Sequence, residues 1–378
     1  MHHFGNEELE LLKQVVESKR LMRYRGGENG FTMDFESKIC QRLKVKHALT
    51  LNSGTNAIYC AMTAMGIGPG DEVIVPAFTW VATPMAPLLA GAVPVLADID
   101  ETLTIDPADI ERKISPYTKA IIPVHMGNTV CNMDAIMDIA KRHNLLVCED
   151  ACQAAGVTYH GQEAGTIGQT GALSFNMFKN LTCGEGGMLL TDDDRYYERA
   201  LIMHDAGCYT RDHAAQMQEK FFPGFNFRVS DFQGAMLCAQ LAKFDGFISG
   251  LKERRDLVRS ILGSSQQFEL VTANDPDGVL SVNIKFPTQK DAAAFKEKHG
   301  TIFWIESGRH VYTNWTPVLN KSWWDERLNP HKFARRTIDY PLDACTRTLD
   351  ILTRSAAVSF GYSMPLSEVE SNCRKLLQ

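Results

Sequence analysis

Short apolar segments recur along the first half of the chain, at 48–51, 72–75, 93–97, 120–124 and 145–148, and helical stretches separate most of them. Strands alternating with helices predict a mainly parallel sheet covered on both faces, the large domain of an α/β protein. In such a sheet a ligand lies beyond the carboxyl ends of the strands, so the residues just after each apolar run are the candidates for chemistry. Apolar residues at helical spacing predict helices over 7–17, 35–43, 232–247 and 250–261; in the first, Leu9, Leu11, Leu12, Val15 and Val16, with polar residues between, suit a short amphipathic helix. Beyond 261 the pattern changes. A turn signal at 275–278, an alternating segment at 279–286, a helix over 290–299 and a last helix over 366–377 predict a smaller C-terminal α+β domain. The expected division is therefore 1–249, the large domain with an N-terminal arm, and 250–378. The chain shows no repeats and no low-complexity tract.

The stretch 171–190, GALSFNMFKNLTCGEGGMLL, stands out within this pattern. Apolar segments at 172–175 and 188–191 enter and leave it, so the turn between them is held from both sides. That turn carries Lys179, followed by Gly184, Gly186 and Gly187, which permit close approaches that a side chain would forbid. A lysine at a sheet end beside a glycine-rich bend suits an amine that attacks a carbonyl and holds it as a Schiff base. It also suits a solvated loop lysine.

Three other strand ends carry candidates. Ser53, Gly54 and Thr55 stand just ahead of a helix with Ile58, Met62 and Met65 on one face. Their N–H groups and hydroxyls suit an anion such as phosphate, or an ordinary N-cap. The helix dipole contributes only ~0.3 to 2 kcal/mol, so several hydrogen bonds must share that work. Trp80 follows the second strand and either covers a flat ring or packs in the core. Asp150 ends the strand at 145–148, where a buried acid needs a cation or strong donors. A phosphate cradle, an aromatic, a buried carboxylate and a Schiff-base lysine, in order and each at a strand end, together fit pyridoxal 5'-phosphate.

Composition narrows the partners. The 378 residues are 44% hydrophobic and 22% charged, with a net charge of -6 and no basic block, which argues against nucleic acid and anionic membranes and for small molecules. Ten cysteines are dispersed without CxxC spacing, which reads as packing in a reducing compartment rather than disulfides or a metal site. The start has no signal-peptide pattern, His2 and His3 belong either to the native start or to an added tag, and no run reaches the ~18 apolar residues of a membrane span. A cytoplasmic protein is expected.

The runs SGTNA (53–57), GIGPGDEVIVPAFTW (66–80), EDACQAAG (149–156), SFNMFKNLTCGEGG (174–187) and GFNFRVSDFQGAM (224–236) closely resemble the DegT/StrS family. These are sugar aminotransferases with the aspartate aminotransferase-like fold, and the resemblance covers about 35–240. It implies that Lys179 is the Schiff-base lysine and that Asp150 keeps the ring nitrogen of pyridoxal phosphate protonated. Gln153 lies beside the ring hydroxyl, Trp80 stacks on the ring, and Gly54, Thr55 and Ser174 bind the phosphate. Asn226 reaches the phosphate of a neighbouring subunit, which implies a homodimer with shared sites. Relatives with histidine at the lysine position are dehydratases, so lysine here implies an aminotransferase. The implied reaction is ping-pong: an amino acid, glutamate foremost, gives its nitrogen to the cofactor, and a keto-sugar, nucleotide-linked or a keto-deoxy sugar acid, collects it. Lys179 would move the proton. The alternatives are a cyclitol or amino-aromatic pathway aminotransferase, a dehydratase of the same family, and a non-catalytic regulator that binds the cofactor.

The substrate side is less defined. Arg23, Tyr24 and Arg25 resemble a segment that borders the site in relatives, and taken alone read as a loop. Arg228 is placed to hold a carboxylate. The stretch 304–315, with Arg309, His310, Tyr312 and Asn314 among aromatics, reads either as a sugar-binding edge or as an irregular core strand and turn.

Overall fold

A seven-stranded sheet forms the centre of the structure, a computed structural model that describes residues 4–25, without the side chain of Arg25, and 30–378. Two helices, α1 (Asn6–Ser18) and α2 (Phe31–Leu43), precede it. The sheet strands are β1 (His47–Leu51), β2 (Glu72–Pro76), β3 (Val93–Ala97), β4 (Thr118–Ile121), β5 (Leu146–Asp150), β8 (Thr170–Ser174) and β9 (Gly187–Thr191), with the hairpin β6 (Thr158–Tyr159) and β7 (Gln162–Glu163) lying between β5 and β8. Helices α3 (Gly54–Ala64), α4 (Ala82–Ala90), α5 (Pro107–Lys113), α6 (Met133–His143) and α7 (Asp194–His204) alternate with them. The spatial order is β1-β9-β8-β5-β4-β2-β3. Strands β3, β2, β4, β5 and β8 run parallel, while β9 is antiparallel to both β8 and β1. One reversed strand in a parallel sheet brings the start of β9 to the edge where β1 and β8 end. Gly187 pairs there with both Leu51 and Ser174. The turn bearing Lys179 therefore emerges at the carboxyl edge of the sheet.

The strands are buried on both faces, which is why they read as apolar runs without alternation. Close packing also dictates glycine at two positions. A Cβ on Gly187 would lie 2.3 Å from the Ser53 carbonyl, and one on Gly171 would lie 1.9 Å from the Gly165 carbonyl oxygen.

Two expectations change after α7. The helices expected over 232–247 and 250–261 are one helix, α8 (Asp231–Leu262), capped by a reciprocal Ser230–Gln233 pair. Its buried face runs unbroken through Phe244, Phe247, Ile248, Arg255, Val258 and Leu262, so Gly246 and Gly250 do not end it. The boundary expected at 249/250 thus falls inside a helix. The strand expected over 279–286 shortens to β11 (Asn283–Lys285), the middle strand of a second sheet between β10 (Glu269–Leu270) and β12 (Ser355–Ala357). The Leu280 N–H instead bonds the Asn128 carbonyl, and the Val279 carbonyl accepts from Arg255, so this stretch ties loops together rather than joining a ladder.

The rest of the chain feeds two cores. The small sheet, with α9 (Gln289–His299) and α12 (Leu366–Leu376), packs around Phe268, Phe286, Phe295 and Phe303. In contrast, Val311, Tyr312, Trp315, Val318, Ile351 and Leu352 join the large core, carried by 3-10 turns, α10 (Thr316–Leu319) and α11 (Thr346–Arg354). Among the described residues, no helix is long and apolar enough to cross a membrane.

Candidate active site

A cavity of about 520 Å³ opens at the carboxyl edge of the sheet. Its wall contains residues from each of the four strand ends singled out in the sequence: Gly54 and Thr55 after β1, Trp80 after β2, Asp150 and Gln153 at β5, and Ser174 with Lys179 at β8. Arg309 and His310 arrive from the C-terminal half.

The β1 corner is both an N-cap and a candidate anion cradle. The Ser53 hydroxyl accepts from the Asn56 N–H at 3.1 Å, which starts α3 and spends that side chain on the helix. The N–H groups of Gly54 and Thr55 belong to the first turn, where no intrahelical acceptor exists. A Cβ on Gly54 would stand 2.8 Å from both Cys152 Sγ and Ser174 Cβ, so a side chain there would fill the cradle.

Asp150 is buried, 4% exposed, at the end of β5. Thr83 Oγ1 donates to its Oδ2 at 2.7 Å, and the Cys152 N–H donates to its Oδ1 at 3.1 Å. Thr79 and Thr83 hydroxyls lie 2.7 Å apart, extending the chain of hydroxyls behind the carboxylate. No ion pair to Asp150 occurs among the described residues; Lys179 lines the same cavity. Deeper in, Glu149 accepts from the N–H groups of Gly165, Ile167 and Gly168 and faces His125 Nε2 at 2.9 Å. The His125 Nδ1 accepts from the Cys131 N–H at 3.2 Å, so the Nε2–H is the donor to Glu149. This pair anchors the strand that presents Asp150.

Lys179 is half-buried, with its N–H bonded to the Asn176 carbonyl, and its ammonium makes no ion pair among the described residues. Asn176 also donates to Glu185, which lines the same cavity. Burial, with the Lys179 and Arg309 cations nearby, holds His310 below the usual imidazole range. Its Nδ1–H donates to the Ser307 carbonyl at 3.0 Å, which leaves Nε2 as the acceptor.

Not every candidate gathers here. Tyr312 is fully buried, and its hydroxyl donates to the Leu342 carbonyl at 2.5 Å: it is core, because the bridge Phe78↔Val311 turns the next side chain inward. Arg228 does not line the cavity either. It pairs with Asp205 of its own chain, whose buried carboxylate is also held by Arg211 at 2.5 and 2.9 Å, so its guanidinium is turned to Asp205 and not into this cavity. Arg23 forms a two-bond pair with Glu36 at 3.1 and 2.7 Å, and Tyr24 lies against it and Arg211; neither lines the cavity. The Arg25 side chain lies outside the described part. Asn226 is exposed and away from its own chain's cavity, in a bridge with Asp205. Sequence reasoning left without a role Cys152, Asn176, Phe178 and Glu185, which line the cavity, and Thr83, which is buried behind Asp150. Thr83 sits one helical turn after Thr79 and was legible only as a helix residue.

A reversed strand within a parallel sheet, a helix start free to take an anion and a lysine sharing a cavity with a buried carboxylate define an aspartate aminotransferase-like protein. The chain belongs to the DegT/DnrJ/EryC1/StrS aminotransferase family, whose sequence profile matches residues 3–306. It is similar to the GDP-perosamine synthase of Caulobacter vibrioides, 43% identical over 218 residues, which are 57% of each chain. The match therefore spans little more than half of that relative. A pleiotropic regulatory protein of Geobacillus stearothermophilus is 34% identical over 297 residues, 77% of this chain and 78% of the relative. Among solved structures, 3-amino-5-hydroxybenzoic acid synthase superposes with a TM-score of 0.82 at 25% identity, covering 99% of this chain and 96% of that one.

Proposed function

We propose that this protein is a cytoplasmic, pyridoxal-phosphate-dependent aminotransferase that carries an amino group from an amino acid, glutamate foremost, to a keto-sugar. The observation that carries the reading is the meeting of Lys179, Asp150, Trp80 and the first-turn N–H groups of α3 in one cavity. The cavity's donor set fits the cofactor. The N–H groups of Gly54 and Thr55, with the Ser174 hydroxyl, would take the phosphate, and the side-chain-free Gly54 leaves space for it. Asp150 would face the ring nitrogen as the carboxylate that keeps it protonated, Trp80 would cover the ring and Gln153 would stand beside the ring hydroxyl. Lys179 would hold the cofactor covalently.

Pyridoxal phosphate, when bound, supplies an electron sink that makes the carbon bearing the transferred nitrogen acidic. The chain then positions and moves protons. Lys179 Nζ would be the base that moves a proton between the substrate carbon and the cofactor carbon on either side of the transferred nitrogen. Thr83 and the Cys152 N–H hold Asp150 in place through this cycle. Asn226, outside its own cavity, would serve the site of a second copy in a homodimer.

The name of the Caulobacter relative favours a nucleotide-linked keto-sugar as the acceptor class, and the fold neighbour named for an amino-aromatic product makes that pathway the alternative. A second reading, a regulator that binds the cofactor without turnover, is favoured by the name of the Geobacillus relative. Absorbance separates the two. A cofactor band near the visible that is lost on adding glutamate supports transfer, while a band unmoved by every amino donor supports the regulator. Lys179→Ala should also abolish cofactor fixed to the chain by borohydride. Persistence of that adduct would place the attachment elsewhere.

A further inference from the structure

A transferase of the proposed kind must seat two different substrates in turn, and the cavity holds one cation that the cofactor does not claim. Arg309 lies with its guanidinium carbon 4.5 Å from the centre of the Trp80 ring, and both line the cavity. Among the described residues it makes no ion pair, in a chain whose net charge is -6. Of the other arginines considered for a substrate, Arg23 is paired with Glu36 and Arg228 with Asp205, and the Arg25 side chain lies outside the described residues. Of the two acids in the same cavity, Asp150 accepts from Thr83 and the Cys152 N–H, and Glu185 is held by the Asn176 amide at 3.0 Å.

The position is built rather than incidental. Gly308, at φ +62, makes the turn that projects Arg309, and the Asn314 amide closes it on the Gly308 carbonyl at 2.8 Å. The Trp315 indole N–H donates to the Arg309 carbonyl at 2.8 Å, and the fully buried Trp315 is among the largest core side chains. One residue on, the His310 carbonyl accepts from the Thr79 N–H at 2.9 Å, which pins this segment to the loop that carries Trp80. Backbone and shelf are fixed, while the guanidinium edge keeps its donors. A flat guanidinium laid on an indole presents its N–H groups sideways, the geometry that takes an oxyanion bidentately.

We propose that Arg309, shelved on Trp80, is the oxyanion receptor of the substrate site. This rests on the aminotransferase reading of the same cavity. The anion has two possible sources with shared chemistry: the carboxylate of the amino donor, or the phosphate of a nucleotide-linked acceptor.

Calorimetry on the cofactor-loaded protein tests it with glutarate, a dicarboxylate that carries no amine, and with inorganic pyrophosphate. Arg309→Gln should weaken binding of at least one of them by about 10 to 100-fold, the loss of a charged hydrogen-bonding pair. Arg309→Lys should recover part of it, because charge remains without the fork. Loss confined to glutarate assigns the donor carboxylate, loss confined to pyrophosphate assigns the acceptor, and loss of both assigns a receptor shared by the two half-reactions. Each of these supports the proposal, provided that the variant keeps the parent's cofactor absorbance and melting temperature. Binding of both anions within twofold of the parent, or no binding by the parent, overturns it. The readout does not depend on turnover. A parent that binds glutarate but keeps its cofactor band in glutamate defeats the aminotransferase reading and leaves the receptor standing.

Discussion

At the scale of single residues, the site depends on Asp150 keeping its charge and its aim. In the proposed reaction its buried carboxylate, held by two donors and without an ion pair among the described residues, would meet the cationic ring nitrogen. The Thr83 hydroxyl is hydrogen-bonded to that carboxylate and to Thr79, so its contribution is to position. Asp150→Ala should lower kcat by about 100-fold or more, as removal of an electrostatic partner at a reacting centre does. Thr83→Val should lower it by about tenfold, in the range of a supporting partner. It should also shift the pH at which the bound cofactor's absorbance changes. A Thr83→Val enzyme with the parent's pH profile would show that the hydroxyl does not steer Asp150. The residue scale also explains why Arg228 misled. Sequence shows an arginine near a motif; only the fold shows that the buried Asp205 already holds it.

At the scale of elements, α8 joins what the sequence separates. Two glycines four residues apart look like a break, but the same face continues on both sides, and burial of that face outweighs a helix penalty of about 1 kcal/mol per glycine. Gly246 has nothing within 4 Å of where a Cβ would stand and is exposed. Gly246→Ala should therefore stabilise the protein by about 0.5 to 1 kcal/mol, read from urea melts. Gly171→Ala is the opposite case. Its Cβ would meet the Gly165 carbonyl in strand β8, so it should destabilise by about 3 kcal/mol. Equal effects of the two would mean that helix propensity and strand packing are not the terms that matter here.

For the whole molecule, stability against acid follows from a histidine buried away from the active cavity. His204 is fully buried, with Nδ1 on the Leu201 carbonyl at 3.1 Å and the Tyr24 hydroxyl 3.4 Å from Nε2. Burial and the Arg23 cation push its pKa down to about 3. An unfolded histidine titrates near 6.5, so below about that pH the unfolded chain binds a proton that the folded chain refuses. This contribution to stability is complete above about pH 6.5 and is lost as pH falls toward 3, amounting to about 2 kcal/mol between pH 7 and 5. Urea melts at those two pH values should show a smaller loss for His204→Gln than for the parent. An identical loss would assign the acid limb to other groups.

The sequence by itself determined the alternating architecture, the four strand ends and the identities of Lys179, Asp150, Gly54 and Trp80, because runs buried on both sheet faces and glycines forced by close approach are local signals. The tertiary structure alone decided which side chains share the cavity with them. Thr83 became a partner of Asp150, Arg309 came to rest on Trp80 from more than two hundred residues away in sequence, and Tyr312 turned into the core. These outcomes depend on contacts between distant segments, where a charge finds its nearest unclaimed partner and an aromatic its nearest gap. Neither choice leaves a periodic trace along the chain.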